Sequence, residues 1–288
     1  MSKKISIIIV TYNSSRHIFD CLESLFKHNN IGDDLEVIVV DNNSEEQKSM
    51  FSKVCNLYGN RVKLKGSGKN GGYGFGNNIG IRMATSDVVI VMNPDVRFVE
   101  PILNQISLLF DNNKALGLAG VSFVDGSAPF YYKPECENLW QSLFMHQIHR
   151  LAKYSPQKMY MSGSFLAFNK NAFEKAGKFD EAIFMYYEEA DITNRILSTG
   201  YQVEWHPEIK VHHIAHGRSF NEKLENIRLD SFEYYCHKYN VSAKKVYEGS
   251  AKLLGIKILV SWLVRDNLRY YNFKQTRNLI KQRLTYLK

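Results

Sequence analysis

The sequence is poor in cysteine and proline and contains no long hydrophobic run. Its four cysteines are scattered and form no Cys-x-x-Cys pair, which argues against a disulfide framework or a zinc ribbon and favours a reducing compartment. The apolar part of MSKKISIIIVTYN is too short for the core of a signal peptide or for a membrane span. We therefore expect a cytoplasmic globular protein.

The positive charge is concentrated towards the C-terminal end. The chain has 288 residues and a formal net charge of +8, and its composition is that of a globular chain with one large domain or two small ones. Residues 252–288 hold nine Lys and Arg against one acid, Asp266, and the remainder has 28 basic and 28 acidic residues. A basic tail is typical of proteins that bind nucleic acid or an anionic membrane surface.

Predicted strands and helices alternate through the first half of the chain. Apolar runs predict strands at 5–12, 35–41, 61–65 and 87–93, and helical spacing predicts helices at 14–28, at about 45–57 and up to about residue 84. Because the strands are apolar on both faces, we expect an α/β fold with a mainly parallel central sheet flanked by helices.

The second half is less regular. We predict a strand at 115–124, a strand or bend leading into a short helix at 159–177, and a helix at 186–200 that ends at Gly200. Two short extended pieces follow at 201–207 and 209–217, and the chain is predicted to be helical from residue 221 onward.

Three successive predicted strands end in polar groups, namely Thr11-Tyr12-Asn13, Asp41-Asn42-Asn43 and Asn93-Pro94-Asp95. Turn chemistry would explain one such ending. Three endings on the same edge of a parallel sheet indicate a binding cleft, because ligands of such sheets lie beyond the carboxyl ends of the strands.

The segment KNGGYGFGNNIGIRMA, residues 69–84, is rich in glycine. It lacks the Gly-x-Gly-x-x-Gly spacing directly after the first strand, which argues against a dehydrogenase fold. The segment predicts either a flexible turn before a helix or a close approach of backbone to a phosphate. Side-chain donors at Asn70, Asn77 and Asn78 favour the second interpretation.

Asp95 is a single carboxylate at the mouth of the predicted sheet, and such a group fits a hard cation such as Mg²⁺ or Mn²⁺. These ions take one or two protein carboxylates and complete their shell with water and substrate phosphates. The alternative is that Asp95 simply forms a turn after Pro94.

Three acids, Glu188, Glu189 and Asp191, begin a predicted helix, where the helix dipole favours them. Asp191 and Arg195 are four residues apart and can form an intrahelical pair. Glu189 projects from another side of the helix and has no evident local partner. It is therefore the better candidate for a general base.

The segment VHHIAHGRS contains His212, His213 and His216. In an extended segment His212 and His213 point to opposite faces, so at most one of them faces the cleft. Their spacing fits no structural zinc site. A contact with metal or phosphate and a structural role are both open.

Taken together, these stretches resemble the family 2 inverting glycosyltransferases of the GT-A (nucleotide-diphospho-sugar transferase) fold, and in particular their rhamnosyltransferase-like branch. The resemblance covers roughly residues 5–220 and rests on the following segments in the family's order: SIIIVTYNS, EVIVVDNNS, NGGYGFGNNIG, VMNPDV, GSFLAFNKNAFEKAGKFDEAIFMYYEEADITNRILSTGY and VHHIAHGRS.

The resemblance implies roles for individual residues. The nucleoside part of the donor would be held by Thr11, Tyr12, Asn13, Asp41 and Asn43, with Asn70, Gly72 and Asn78 against base and ribose. Asn93 and Asp95 stand in the place of the family's Asp-x-Asp motif, whose last acid binds the metal, Mg²⁺ or Mn²⁺, and His212 or His213 would assist. The catalytic base would be Glu189, with Glu188 and Asp191 as alternatives.

The resemblance also implies the organisation and the partners. Residues 1–220 would form the transferase domain, with a nucleotide-binding half at about 1–98 and an acceptor half at 99–220, and 221–288 would form a basic helical extension. The donor would be dTDP-rhamnose or a UDP-sugar, and the acceptor a glycan or a lipid-linked oligosaccharide of bacterial cell-surface polysaccharide synthesis.

The apolar segment 251–264 predicts a helix packed on the domain, a homodimer contact, or peripheral attachment of 251–288 to an anionic membrane on the inner face of the cell membrane. A nucleotide-sugar-binding protein without activity is the alternative function. A nucleotidyltransferase is disfavoured because TYNSSRH does not resemble a phosphate-gripping loop, and a nucleic-acid-binding module would leave the acidic cleft unexplained.

Overall fold

A computed structural model describes residues 4–136, 147–149, 151, 153–214 and 220–287. Four parallel strands form one half of its main sheet, in the spatial order β3-β2-β1-β4. They are β1 (Ile5–Thr11), β2 (Leu35–Asp41), β3 (Val62–Gly66) and β4 (Val88–Met92). Because β1, β2 and β4 are neighbours and parallel, the three polar strand endings lie along one edge, as the sequence predicts.

The other half of the main sheet is mixed. It contains β5 (Val96–Phe98), β6 (Leu116–Phe123), β9 (Phe165–Asn169) and β10 (Gln202–His213), while β7 (Phe130–Tyr132) and β8 (Met159–Met161) form a separate two-stranded sheet. Strand β9 runs antiparallel to both β4 and β6, and β10 runs parallel to β6 but antiparallel to β5. The eight strands have the order β3-β2-β1-β4-β9-β6-β10-β5, so the prediction of a mainly parallel sheet is confirmed.

Helices flank the sheet, and its hydrophobic core follows the alternation of the strands. The helices that the structure describes within the first 200 residues include α1 (Ser15–Lys27), α2 (Gln47–Tyr58), α3 (Tyr73–Met83), α4 (Leu103–Asn112), α5 (Lys170–Lys175) and α6 (Glu188–Ser198), with short 3₁₀ turns at Gly32–Asp34 and Gly59–Arg61. Ile5, Ile7 and Ile9 of β1 share one fully buried core with Ile18 and Leu22 of α1.

Two predictions for the second half need correction. Helix α6 begins at Glu188 and not at Tyr186, because Tyr186 and Tyr187 have φ angles of +73° and +68°, which are not helical. The two extended pieces after Gly200 form one long strand, β10, whose register with β6 shifts between His206 and Lys210. The remaining residues of the second piece, from Ala215 onward, lie outside the described part of the chain.

The chain divides into two compact units. The first is formed within Met1–Tyr131, Tyr154–Phe184 and Glu188–Ala215, and the second within Tyr132–Lys153, Met185–Tyr187 and His216–Lys288. The second unit contains α7 (Glu222–Lys238), α8 (Ala243–Leu263) and α9 (Asn267–Tyr286), which confirms the predicted C-terminal helices. Among the described residues, no helix combines the length and the apolar character needed to cross a bilayer.

Candidate active site

Asp41 ties together the two loops that follow β1 and β2. Its buried carboxylate accepts the hydroxyl of Thr11 at 2.8 Å, and the hydroxyl and backbone N–H of Ser44 at 2.6 and 2.7 Å. Asn13 joins this network because its N–H donates to Ser44 Oγ at 2.8 Å. The resemblance implies that Thr11 and Asp41 contact the nucleoside. Both side chains are fully buried in this structure, where they stabilise the two loops and are not exposed at the edge of the sheet.

Tyr12, Asn13 and Asn43 are exposed within the first two residues of these loops, and Glu45 and Glu46 are exposed further along the second loop. Asn13 and Asn43 have φ angles of +50° and +66°, in the left-handed region that Asn tolerates better than most residues. The turns after β1 and β2 thus hold two amide side chains and one phenol at the carboxyl edge. A contact between these three residues and a nucleoside stays a prediction.

The glycine-rich segment reaches the same edge through Gly72. Asn42 Nδ2 donates to the Gly72 carbonyl at 2.8 Å, and the Tyr73 N–H donates to the Phe184 carbonyl at 2.9 Å. Gly72 has φ of +90°, and a Cβ at this position would overlap the Phe184 carbonyl. The close packing of the Gly72 backbone against the Phe184 carbonyl therefore requires glycine at this position, whether or not a ligand binds here.

Replacing Gly72 by alanine is expected to lower the free energy of unfolding by about 2–4 kcal/mol, because strain at positive φ and overlap with Phe184 add together. Chemical denaturation measures the change. Gly68→Ala is the matched control, since Gly68 has φ of +79° but open space around it, and it should cost only about 1 kcal/mol. Equal losses in the two variants would contradict the role of the Phe184 contact.

The predicted asparagines of this segment face the protein. Asn70 Oδ1 accepts the Gly72 N–H at 3.2 Å, which stabilises the turn before α3. Asn78 is buried, and its Nδ2 donates to Phe179 O at 2.9 Å and Glu181 Oε1 at 3.0 Å while its Oδ1 accepts the Phe179 N–H at 3.1 Å. Both amide hydrogens of Asn78 are thus engaged, which corrects the expectation of a donor towards a nucleotide. Asn77 is buried too.

A histidine faces the carboxylate that follows β4. The antiparallel pairing of β10 with β5 brings His213 beside Asp95, with Nε2 3.6 Å from Oδ1. The same Nε2 lies 3.3 Å from Ser164 Oγ, and Nδ1 lies 3.3 Å from Ser127 Oγ. His212 is the Cα partner of Arg97 on β5 and, by alternation along β10, points to the other face. The third histidine, His216, lies outside the described residues.

The Asp95 and His213 side chains fit a divalent cation. Oδ1 of Asp95 is buried and has no hydrogen-bond partner among the described residues. Burial alone would raise the pKa of Asp95, but the adjacent His213, the Asp95 backbone N–H and the charge of His17 together lower the pKa below its usual value, so the carboxylate is ionised at neutral pH. In the described part of the chain no cluster of three or more His, Cys, Asp or Glu occurs, so a cation here would need further ligands from substrate and water.

The three acids of α6 have different surroundings. Asp191 is fully buried and binds Arg195, with its Oδ2 at 2.9 Å from Nε and 2.5 Å from Nη2, which confirms the predicted pair. Glu188 is buried, and its Oε2 has no hydrogen-bond partner within the described residues. Glu189 is only partly buried. Of the three carboxylates, only that of Glu189 is neither buried nor in an ion pair, so it is the one that a ligand can reach.

Glu189 has no side-chain partner within its own helix but binds a backbone group that is distant in sequence. Its Oε1 accepts the backbone N–H of Gly163 at 3.0 Å, and the Gly163 carbonyl accepts the hydroxyl of Tyr73 at 2.6 Å. Gly163 is therefore held through both its N–H and its carbonyl, and a Cβ on Gly163 would overlap the Glu189 carboxylate. Tyr73 and Gly163 thereby fix one oxygen of Glu189 and leave Oε2 for other contacts.

Residues 162–164 connect the two groups of site residues. Gly163 binds Glu189, whereas Ser164 contacts His213 through its hydroxyl and accepts the Asn93 N–H at 3.0 Å through its carbonyl. Sequence reasoning missed this loop as a functional element. Its local signal is the short polar stretch Ser-Gly-Ser between two apolar runs, which is ordinary for a turn, and Gly163 and Ser164 also begin one of the segments of the resemblance.

The acid pair at the start of α6 is a stronger base than free glutamate. Burial raises the pKa of Glu188, and the neighbouring Glu189 charge raises it further. Burial also raises the pKa of Glu189, although the N–H of Gly163 opposes this shift. Burial and the charge of Glu189 raise the pKa of Tyr73, so its phenol stays a hydrogen-bond donor. The site thus combines an ionised carboxylate beside an imidazole with a carboxylate suited to accept a proton.

Comparisons with known proteins agree with this architecture. The family model of "Glycosyl transferase family 2" matches residues 6–177. The chain is 29% identical over 235 residues to the dTDP-rhamnosyl transferase RfbF of Shigella flexneri, covering 80% of this chain and 76% of that protein. It is 26% identical over 259 residues to the rhamnosyltransferase WbbL of Escherichia coli, covering 81% of this chain and 92% of that protein.

A solved structure resembles the fold over almost the whole chain. The mannosyltransferase PcManGT from Pyrobaculum calidifontis, in complex with GDP-Man and Mn²⁺, superimposes with a TM-score of 0.64 at 14% sequence identity. The match covers 97% of this chain and 85% of that one. At this identity the likeness concerns the fold alone, and it confirms the predicted GT-A class.

Proposed function

Because this chain belongs to glycosyl transferase family 2, we propose that it moves a sugar from a nucleoside diphosphate donor to a hydroxyl of a glycan or lipid-linked acceptor, inverting the anomeric carbon. The observation that carries this proposal is the loop 162–164, which joins a candidate base, Glu189, to the Asp95–His213 pair. The rhamnosyltransferases among the relatives support dTDP-rhamnose as the donor, with a UDP-sugar as the alternative.

The donor is assigned to the carboxyl edge of the parallel strands. Tyr12, Asn13 and Asn43 are exposed there and offer a phenol and two amides to the nucleoside. Asn70, Gly72 and Asn93 belong to the neighbouring turns and are assigned to the donor as well. Thr11 and Asp41 stabilise the loops at this edge through their hydrogen bond. In this proposal residues 1–98 bind the nucleotide, 99–220 serve the acceptor, and the protein acts in the cytoplasm on bacterial cell-surface polysaccharide.

Asp95 and His213 would hold a divalent cation, Mn²⁺ or Mg²⁺. When bound, the ion offsets the negative charge that develops on the departing nucleoside diphosphate. The Mn²⁺ and nucleotide sugar present together in the PcManGT complex support this assignment. The chain's own part is to present an ionised Asp95, because His213 lowers its pKa, and to hold the imidazole by the hydroxyls of Ser127 and Ser164.

Glu189 is assigned the role of general base. Its Oε1 is fixed by the Gly163 N–H, so Oε2 can accept the proton of the acceptor hydroxyl. The oxygen of that hydroxyl attacks the anomeric carbon as it loses the proton. The C–O bond to the diphosphate breaks on the opposite face, and the electron pair leaves with the diphosphate. A single displacement of this kind inverts the configuration and needs no covalent enzyme intermediate.

The pH dependence follows from the acid pair. The base must be ionised, so the rate should fall as the pH drops through the pKa of Glu189. Because burial raises that pKa, the fall should occur above 4.5, the ordinary value for a glutamate. A profile of kcat/KM against pH measures it, and a rate that stays constant down to pH 4.5 would contradict the assignment.

Tyr73→Phe tests how Glu189 is positioned. The substitution removes the hydroxyl that holds the Gly163 carbonyl, so the Gly163 N–H should bind Glu189 less well. We expect kcat to fall about five- to tenfold, roughly the value of one hydrogen bond, with the donor KM unchanged. The acidic limb of the pH profile should move to higher pH, because the Gly163 N–H opposes the rise in the pKa of Glu189.

Tyr58→Phe is the matched control for this variant. It also removes a phenol that donates to a backbone carbonyl, that of Phe19 at 3.5 Å, but on helix α2 and far along the chain from Glu189. Its pH profile should coincide with that of the unmodified protein. If the two variants behaved alike, the Tyr73 hydroxyl would have only a general structural role.

The proposed activity is tested by a donor screen. The protein is incubated with dTDP-, UDP- and GDP-sugars in the presence of Mn²⁺ or Mg²⁺, and release of the nucleoside diphosphate is measured. We expect metal-dependent release, fastest with dTDP-rhamnose. If every donor binds in calorimetry and none is turned over with any acceptor offered, the alternative of an inactive nucleotide-sugar-binding protein would replace the proposal.

A further inference from the structure

The last two helices of the second unit are only partly covered by their own core. Tyr247 and Leu253 of α8 are buried, and Ile280 of α9 packs with Leu229 and Phe232 of α7. The Arg277 guanidinium donates to the Ala251 carbonyl at 3.0 Å, which fastens α9 to α8 near the same level. These contacts hold the end of the helix pair that lies away from its connecting turn.

The connecting end of the pair is apolar and open to solvent. We call residues 259–271 the hairpin tip; they comprise the end of α8, the turn at 264–266 and the start of α9. Trp262 and Leu263 are each 64% exposed, Val264 is 68% exposed and Leu268 is 55% exposed. Monomeric proteins rarely leave several large apolar side chains together in water, so this end indicates a binding surface.

Cations surround the same end. Arg265 and Arg269 are exposed within the hairpin tip, and Lys257 and Lys274 lie one to two turns away on the two helices. The one acid of residues 252–288, Asp266, accepts the Arg269 backbone N–H at 3.0 Å as the cap of α9, and its Oδ2 lies 3.3 Å from Nε of the exposed Arg269 guanidinium. Exposed apolar side chains with cations beside them are complementary to a surface that has negatively charged groups outside and hydrocarbon beneath them.

We propose that the hairpin tip inserts into the surface of an anionic lipid bilayer. Trp262, Leu263 and Val264 enter the interface between headgroups and acyl chains, and Arg265 and Arg269 contact lipid phosphates. The attachment is peripheral, because among the described residues no helix is long and apolar enough to cross. A second copy of this chain fits less well, since pairing two tips would bring cations of the same sign together.

The surface is independent of the proposed transferase activity, and vesicle binding of the full chain tests it without donor or acceptor. Flotation with vesicles of equal parts phosphatidylglycerol and phosphatidylcholine is expected to capture the protein at low salt and progressively less as salt is added. Vesicles of phosphatidylcholine alone should capture far less. The double variant Trp262→Ser/Leu263→Ser should bind at least about tenfold more weakly, because it removes two inserted apolar side chains.

The variant Arg265→Gln/Arg269→Gln should lose about tenfold in affinity and most of the salt dependence. Lys48→Gln/Leu57→Ser is the matched control, since it removes one exposed cation and one exposed apolar side chain from α2 and should change nothing. Failure of the unmodified chain to bind anionic vesicles at low salt would overturn the proposal. So would a dimer in sedimentation velocity that Trp262→Ser/Leu263→Ser converts to a monomer while vesicle binding persists.

Discussion

Replacing Glu189 by glutamine is expected to lower the rate of sugar transfer by about 10²–10⁴-fold, because the amide cannot accept the proton of the attacking hydroxyl. The replacement keeps the size of the side chain and an oxygen for the Gly163 N–H. Donor binding should therefore change little. Single-turnover rates with the donor in excess, and calorimetric titration with the nucleoside diphosphate, measure the two effects separately.

The fold should survive this replacement. Burial raises the pKa of Glu189, so the ionised side chain is less stable in the folded protein than in water, and a neutral amide relieves that cost near neutral pH. The free energy of unfolding of Glu189→Gln should consequently equal or exceed that of the unmodified chain. A lost rate together with an unchanged or raised stability identifies a chemical role.

The two other acids of α6 are the controls. Glu188→Gln keeps the packing of a buried side chain whose pKa is already raised, and it should reduce the rate less than Glu189→Gln. Asp191→Asn weakens the pair with Arg195, so its main effect should be on the free energy of unfolding. If Glu189→Gln transferred sugar at a near-normal rate and one of the other two variants lost the transfer rate, the residue replaced in that variant would be the general base.

Replacing Asp95 by asparagine is expected to remove the metal dependence of donor binding. The unmodified protein should bind Mn²⁺ weakly alone and well together with a nucleoside diphosphate, because Asp95 and His213 are two protein ligands and the described residues form no cluster of three or more. In Asp95→Asn, Mn²⁺ should no longer strengthen nucleotide binding. Transfer should fall by about 10²-fold or more, since charge on the leaving diphosphate would no longer be offset.

Calorimetric titration of nucleoside diphosphate with and without Mn²⁺ measures this effect. His213→Gln should weaken the Mn²⁺-dependent binding by about tenfold. Asp87→Asn is the matched control, since Asp87 is an exposed carboxylate at the other end of the same strand, and it should behave like the unmodified protein. Tight binding of Mn²⁺ to the protein without nucleotide, or unaltered metal dependence in Asp95→Asn, would contradict the assignment.

The parallel half of the sheet could be predicted because its signals are local. Apolar runs such as 35–41 and 87–93 define the strands, and helical spacing defines the helices that lie between successive strands. A helix that crosses over between two strands makes a parallel sheet the expected arrangement. The common edge of the three polar endings follows from that topology alone. The mixed half was less accessible, since the insertion of β9 antiparallel between β4 and β6 depends on pairings distant in sequence.

The details of the candidate site depended on contacts that no local pattern contains. Alternation along β10 limits the choice to His212 or His213, but only the pairing with β5 selects His213. The partner of Glu189 is a backbone N–H 26 residues earlier in the chain. Asn78 has the residue type of a ligand contact, yet burial and its three bonds to residues 179–181 give it a structural task.

The most direct test of the proposed chemistry is the configuration of the transferred sugar. Once the donor screen has supplied an active donor and acceptor, the NMR coupling across the anomeric carbon of the isolated product gives its configuration. A single displacement with Glu189 as base predicts a configuration opposite to that of the sugar in the donor. A product that retains the donor's configuration would exclude a single displacement from the opposite face and would contradict the role of Glu189 as the base of such a step.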